Sequence, residues 1–245
     1  MPHSPGRHKA APVSARLSVV MPTLNEAQGI AARLQALQDA RAAGVEIIVS
    51  DGGSADDTAL VAASLCDALV RAPRGRAAQM NAGASLARGD VLLFLHADTR
   101  LPDGFAALAL EGLAASRRAW GRFDVRIEGR SRLLPMVGAM INVRSGLTGV
   151  ATGDQGMFVR REAFEALGGF RDIALMEDIE LSRRLKRLSP PLRVRAKAVT
   201  SGRRWDTYGA ARTILLMWRL RLEYYCGADP DALARRYGYK PRSPE

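Results

Sequence analysis

Short apolar runs alternate with longer amphipathic segments in the first half of the chain. The runs at 17–21, 46–50, 68–71 and 91–95 are rich in Val, Ile and Leu, and the segments between them, 28–43, 57–64 and 76–87, carry apolar residues at helical spacing. Gly44 and Gly89 follow two of these segments, as helix-ending glycines do. The fourth run is apolar at every position, which is typical of a strand covered on both faces. This pattern predicts an α/β fold with a mostly parallel central sheet flanked by helices.

The second half is less regular. A helix to about 116, a strand at 121–127, an apolar segment at 133–143, a helix at 176–188 and a strand at 192–199 are predicted, followed by helices near 208–226 and 231–237. We therefore expect a tail at 1–15, one domain at 16–200 with halves 16–100 and 101–200, and a C-terminal helical extension at 201–245.

Composition narrows the class of protein. Of 245 residues, 47% are hydrophobic and 25% charged, the balance of a folded chain. Cys66 and Cys226 lie far apart, which predicts neither a disulfide framework nor a zinc site and fits a reducing compartment. The first 16 residues lack the apolar core of a signal peptide, and no segment reaches the ~20 apolar residues of a membrane span. We expect a cytoplasmic protein.

The chain is basic, with a formal net charge of +11. Nine Lys or Arg and no Asp or Glu fall between 183 and 204. Such a run is either a solvated face or a surface for nucleic acid, anionic lipid or phosphorylated ligands, and both interpretations stay open.

Polar residues follow three of the predicted strands: PTLNE at 22–26, DGGSADDT at 51–58 and HADT at 96–99. Ligands of open α/β sheets bind at the carboxyl ends of the strands. Gly52 and Gly53 would let backbone N–H groups approach a ligand, and the Asp51 carboxylate could accept hydrogen bonds from a base or ribose. A turn in which Asp56 caps the next helix explains the same residues.

Asp98 closes the fourth strand and is a candidate ligand for Mg²⁺ or Mn²⁺, with His96 as a second one. Such a metal would neutralise charge on a departing diphosphate. An Asp at a strand end is also a common turn former or cap. Neither G-x-G-x-x-G after a strand nor G-x-x-x-x-G-K-[ST] occurs, which argues against dehydrogenases and P-loop proteins.

Together the three motifs resemble those of the family 2 glycosyltransferases, which have the GT-A fold. The resemblance implies that Pro22, Thr23, Asn25, Glu26 and Asp51 hold the nucleotide of a uridine or guanosine diphosphate sugar, with Gly52 and Gly53 beside it. It also implies that HADT replaces the D-x-D metal motif, with His96 at the position of the first Asp.

The resemblance extends to the second half, through GDQGMFVRREAFEALGGF at 153–170 and MED at 176–178. It implies that Gly153, Asp154 and Gln155 line the acceptor side, that Asp178 is the general base of an inverting single displacement, and that Glu177 supports it. The chain is most similar to a group described as radical-SAM/selenodomain-associated transferases. Their acceptor is poorly defined, and a lipid or carotenoid-like molecule is a candidate.

Two arginine-containing segments also bear on the predicted site. Arg76, with Arg74 and Gln79, follows the third strand, where a guanidinium could bind a diphosphate through two bonds. GRRW at 202–205 resembles part of the family's Q-x-x-R-W motif but lacks the Gln, which argues against processive polymer synthesis.

The C-terminal helix carries one apolar stripe: Leu215, Trp218, Leu222 and Tyr225. We expect the stripe to pack onto the domain, with peripheral contact to an anionic membrane as the alternative. Two competing functions are a nucleotidyltransferase, which typically has a Gly-rich basic loop after strand one, and a nucleic-acid-binding protein, which would need a reading module that the sequence lacks.

Overall fold

The computed structural model describes residues 16–239, so the predicted tail at 1–15 and the last residues of the extension lie outside it. The strands are β1 (Leu17–Thr23), β2 (Glu46–Asp51), β3 (Ala68–Arg71), β4 (Val91–Phe94), β5 (Thr99–Arg100), β6 (Trp120–Glu128), β7 (Met157–Arg160) and β8 (Leu192–Ser201). The helices are α1 (Ala27–Gln35), α2 (Gln38–Ala42), α3 (Thr58–Ala63), α4 (Arg76–Leu86), α5 (Phe105–Ser116), α6 (Leu134–Thr148), α7 (Arg161–Ala166), α8 (Glu177–Leu185), α9 (Arg203–Tyr208), α10 (Ala210–Tyr225) and α11 (Pro230–Tyr237).

Within the described residues the strands form one sheet in the order β3-β2-β1-β4-β7-β6-β8-β5. The first four strands are parallel, as predicted, and β7 joins them to the second half by antiparallel pairing with β4 and β6. Thr23 pairs with Asp51, so the PTLNE and DGGSADDT loops leave the sheet side by side. The predicted α/β class is confirmed.

The apolar runs are buried on both faces of the sheet. In β1, Val19 and Met21 belong to the cluster on one face and Val20 to the cluster on the other. A side chain of this size stabilises the fold by about 1.5–3 kcal/mol when it is fully buried. Gly83 of α4 lets that helix lie close to β1, since a Cβ there would be 2.5 Å from Val20 Cγ1.

The structure differs locally from the elements predicted from the sequence. The segment 28–43 forms two helices instead of one. At the break between them, the Gln38 side-chain amide donates a hydrogen bond to the Leu34 carbonyl oxygen at 2.8 Å. The short strand β7 was not predicted, because its sequence lies inside the motif at 153–170 and lacks an alternating pattern.

The C-terminal helices pack against the segment that precedes α8. Leu220 of α10 and Leu233 of α11 share a buried cluster with Leu175, Met176 and Ile179. No helix in the described part of the chain is long and apolar enough to span a membrane.

Candidate functional site

The first two motif loops hold each other in place. Asn25 adopts a left-handed backbone conformation (φ 53°), and its side-chain oxygen accepts a hydrogen bond from the Ala55 amide at 2.8 Å. In return Ser54 Oγ accepts from the Asn25 amide at 2.9 Å, and Thr58 Oγ1 accepts from the Glu26 amide at 2.8 Å. Ser54 and Thr58 of the second motif therefore fix the backbone of the first motif.

Asp51 is 3% exposed and bonds to its own loop. Its Oδ2 accepts hydrogen bonds from the Gly53 and Ser54 amides, both at 2.9 Å, and its Oδ1 accepts from Ser54 Oγ. Gly52 lies against Gln79, whose amide nitrogen donates to the Thr23 and Ser50 carbonyl oxygens at 2.7 and 2.9 Å. Asp51, Gly52 and Gly53 lie beside the cavity at the carboxyl ends of β1 and β4, but they are not part of its wall.

A cavity of about 390 Å³ opens at the carboxyl ends of β1 and β4. We call it the larger cavity because it is the larger of the two spaces at this site. Its wall includes six of the predicted site residues: Pro22, Thr23, Glu26, Arg76, His96 and Asp98. The Thr23 hydroxyl is buried there and has no hydrogen-bond partner among residues 16–239. Burial raises the pKa of Glu26, and the nearby Asp98 adds to the shift, whereas the ion pair with Arg203 at 3.4 Å opposes it. The wall of the larger cavity therefore carries both acidic and basic side chains.

Asp98 fits a divalent cation that is shared with a ligand. Its carboxylate faces the larger cavity and accepts only long hydrogen bonds, from Thr99 Oγ1 at 3.3 Å and Thr200 Oγ1 at 3.5 Å. His96 Nδ1 instead lies 3.3 Å from Asp154. In the described range no group of three or more His, Cys, Asp or Glu side chains could hold a metal ion. The residues suit a Mg²⁺ or Mn²⁺ that takes most of its oxygen ligands from phosphates and water.

A second space, of about 60 Å³, lies next to the first, and we call it the smaller cavity. Arg76 and His96 line both, and Gly153, Asp154 and Asp178 line the smaller one. Asp178 Oδ2 accepts from the Gly153 amide and Oδ1 from the Ile179 amide, each at 2.7 Å. Gly153 cannot carry a side chain without moving His96, because a Cβ would lie 2.2 Å from His96 Nε2.

Glu177 is paired with Arg76, which lines both cavities. Glu177 is 1% exposed, and its Oε1 lies 2.7 Å from Arg76 Nε. Burial raises the pKa of Glu177, and the Arg76 guanidinium opposes that shift. The residue before Glu177, Met176, is buried with φ 70°, a strained conformation for a non-glycine residue. Of the predicted acid pair, Asp178 therefore faces a cavity and Glu177 anchors the start of α8.

Gln155 lies in the core. It is fully buried, and its Oε1 accepts hydrogen bonds from Ser145 Oγ at 2.8 Å and the Thr152 amide at 3.1 Å. It thereby fixes the 3-10 turn Gly153–Gln155 that carries Gly153 and Asp154.

Several wall residues of the larger cavity come from the C-terminal extension, and the two tyrosines among them were not predicted from the sequence. Tyr237 and Tyr239 stack near Arg204 and Arg76, with ring centroids 3.6 and 5.4 Å from the respective guanidinium carbons. Burial raises the pKa of Tyr237 to about 12. Tyrosines and arginines in one sequence can indicate such stacking. Tyr237 and Tyr239, however, lie over 130 residues from Arg76 along the chain, so the contact could not be predicted from spacing.

The expected packing of the α10 stripe onto the domain is wrong. Leu215, Trp218, Leu222 and Tyr225 are 53–68% exposed. The buried face of α10 is instead formed by Ala210, Thr213 and Leu220, which lie on another side of the helix.

Comparison with known proteins gives the family and the fold. The model of "Glycosyl transferase family 2" matches residues 18–168. A crystal structure of S. aureus TarS 1-349 in complex with UDP-GlcNAc has a TM-score of 0.61 at 15% identity, over 76% of this chain and 58% of that one. The same protein in complex with UDP gives the same TM-score and identity, over 76% and 60%.

Mannosyltransferase PcManGT from Pyrobaculum calidifontis, in complex with GDP-Man and Mn²⁺, has a TM-score of 0.58 at 21% identity, over 86% of this chain and 61% of that one. The chain thus spans less than two thirds of the length of each of these proteins. No curated protein sequence matches it. The predicted GT-A architecture is confirmed, and the narrower radical-SAM-associated group stays a prediction.

Proposed function

The chain belongs to glycosyl transferase family 2, and from this premise we propose that it transfers a sugar from a nucleoside diphosphate donor to an acceptor hydroxyl, with inversion. The observation that carries the proposal is the adjacency of two cavities. The larger one has Asp98 and arginines for a diphosphate, and the smaller one has Asp178 for an attacking hydroxyl. The similar structures of TarS with UDP-GlcNAc and of PcManGT with GDP-Man support this choice of donor.

In this proposal the donor occupies the larger cavity. Thr23 and Glu26 approach the nucleoside, together with the Asp51 loop beside them, while Arg76 and Arg204 bind diphosphate oxygens. Asp98 would hold a Mg²⁺ or Mn²⁺, and when bound this ion would neutralise charge on the leaving diphosphate.

The acceptor hydroxyl enters the smaller cavity, where Asp178 removes its proton as it attacks the anomeric carbon. The amides of Gly153 and Ile179 hold the Asp178 carboxylate in position, and Glu177 fixes the first turn of α8 through Arg76. A carboxylate placed in this way is suited to a single displacement with inversion.

Donor binding tests the proposal, and we expect it to depend on metal. UDP-GlcNAc or GDP-Man should raise the melting temperature more with Mn²⁺ than without it, because a ligand that binds only the native state stabilises it. Asp98→Asn should remove the Mn²⁺-dependent part of the shift, whereas Asp103→Asn, at an exposed position before α5, should keep it. If neither nucleotide nor nucleotide sugar shifts the melting temperature of the wild-type protein, the proposed function is wrong.

We also propose that the protein binds the surface of an anionic membrane. The exposed stripe of α10 lies beside exposed apolar residues of α6, since Ile214 and Ile141 of these helices pack on the same cluster. The α6 residues are 41–83% exposed: Met136, Met140, Val143 and Leu147. At one end of this two-helix face, Arg183 lies over the Tyr225 ring at 5.7 Å and Lys186 donates to the Thr148 carbonyl oxygen. Apolar side chains bordered by cations are suited to anionic lipid.

Vesicle sedimentation checks the membrane proposal. Leu215→Glu with Leu222→Glu should weaken binding to phosphatidylserine-containing vesicles by at least about tenfold, because each leucine loses about 1.5–3 kcal/mol of burial in the lipid. The control is Leu60→Glu on α3, where the leucine is 76% exposed. Helix α3 packs on β2 and β3 at one edge of the sheet, whereas α6 packs on β6 in the other half. Equal binding by both variants would contradict the proposal, as would a wild-type protein that dimerises through this face and ignores vesicles.

A further inference from the structure

Two arginines, one lining the smaller cavity and one near it, have buried nitrogen atoms that find no hydrogen-bond partner in the described part of the chain. Arg221, on α10, lines the cavity together with Asp154 and Asp178. Arg144, on α6, is close enough for the charges of Arg221 and Asp178 to act on it. The unpartnered atoms are Nε of Arg221 and both Nε and Nη2 of Arg144. Buried polar groups of native proteins are nearly always hydrogen-bonded, so these three atoms need an explanation.

The neighbouring carboxylates do not supply the missing partners. Asp178 accepts from two backbone amides, and Asp154 is paired with His96. Burial, together with repulsion from Arg221, lowers the pKa of Arg144 to about 10. Two neighbouring guanidinium groups, each with five donors in a planar fork, thus point to an anion that residues 16–239 do not provide.

The anion would not be the diphosphate of the donor. In the proposed function that group lies in the larger cavity, where Arg76 and Arg204 are available. The smaller cavity, of about 60 Å³, has room for several water-sized groups but not for a nucleotide.

We propose that Arg144 and Arg221 form a subsite for a phosphate group of the acceptor, next to the hydroxyl that Asp178 deprotonates. The assignment rests on the proposed function and adds a substrate class to it: an acceptor that carries a phosphate close to its reacting hydroxyl. Arginine forks bind phosphate oxygens through paired hydrogen bonds, and the terminal oxygens of a phosphate group can accept from two guanidinium groups at once.

The primary test uses the wild-type protein. With UDP-GlcNAc or GDP-Man and the diamagnetic ion Mg²⁺ present, inorganic phosphate is titrated while NMR follows the arginine Nε–H resonances. We expect saturable shifts of Arg144 and Arg221. The double variant Arg144→Gln, Arg221→Gln should bind phosphate at least about tenfold more weakly, in line with the loss of charge-assisted hydrogen bonds. Arg212→Gln, at an exposed arginine of the same helix, should bind it as the wild type does.

Two results would overturn the subsite. One is a wild-type protein that binds the nucleotide sugar but shows no saturable shift of either arginine. The other is an equal loss of phosphate affinity in the Arg212→Gln control, which would indicate a general charge effect. If the wild-type protein binds no nucleotide sugar, the proposed function has failed as well. If the double variant keeps its affinity for the nucleotide sugar, its loss of phosphate binding concerns the subsite and not the proposed function. Thermal unfolding of the double variant shows whether it is folded.

A second titration distinguishes the sources of the phosphate. Decyl phosphate is compared with inorganic phosphate, and decanol is the uncharged control. We take a lipid-linked phosphate to be supported if decyl phosphate binds at least about tenfold more tightly than inorganic phosphate. The double variant should lose affinity for decyl phosphate as it does for inorganic phosphate. Equal affinity supports a water-soluble phosphorylated acceptor. Binding of decanol as tight as that of decyl phosphate would contradict a phosphate subsite.

Discussion

Asp178→Asn should lower the turnover number by about 10²–10⁴-fold, the contribution typical of a positioned general base. An amide has nearly the shape of the carboxylate but does not take up the proton of an attacking hydroxyl. Donor affinity should change little, because Asp178 lines the smaller cavity and not the larger one. The measurement is release of the nucleoside diphosphate from the donor, together with the affinity of the donor by calorimetry.

The matched control for this variant is Asp103→Asn, which removes one carboxylate from an exposed position before α5. It should retain full turnover. An Asp178→Asn protein that is folded, binds donor and turns over at the wild-type rate would show that another group removes the proton. Loss of donor binding together with turnover would instead indicate that Asp178 acts on the larger cavity through the Gly153 turn.

Much of this site could be predicted because its residues follow parallel strands. Thr23 and Asp51 are paired neighbours in the sheet, so the two loops meet as a consequence of strand order alone. Asp98 reaches the same edge because β4 lies on the other side of β1. Periodicity predicts such strands, and the carboxyl ends of parallel strands always lie at one edge.

The contributions of the C-terminal extension could not be predicted in the same way. Helical spacing of apolar residues shows that a helix has an apolar face, but it does not show whether another element covers that face. Trp218 and Leu222 belong to such a face and are exposed. Arg144 and Arg221 come from helices separated by over 60 residues, and nothing in their local sequence distinguishes them from surface arginines. Their role depends on tertiary packing, which spacing along the chain does not encode.

Glu177→Gln should destabilise the fold by about 3 kcal/mol, the lower end of the cost of leaving one partner of a buried ion pair without its opposite charge. The lower end applies because Arg76 is 27% exposed, although Glu177 is 1% exposed. For a chain of this size the loss corresponds to a melting temperature lower by about 6–12 °C. Urea unfolding gives the free energy. The control Glu128→Gln should change it by less than about 0.5 kcal/mol, because Glu128 and both of its partners, Arg100 and Arg126, are exposed.

The Arg76–Glu177 pair also predicts a kinetic effect that a purely structural ion pair would not have. Arg76 lines both cavities and Glu177 precedes the proposed base, so loss of the pair should raise the KM for the donor and lower the turnover number together. Replacing both residues, as Arg76→Gln with Glu177→Gln, removes the uncompensated charge and should be less destabilising than the sum of the single changes. Turnover should nevertheless stay low in the double variant, because the diphosphate has lost an arginine. If the double variant recovers both stability and turnover, the pair holds the fold only, and Arg76 does not contact the donor.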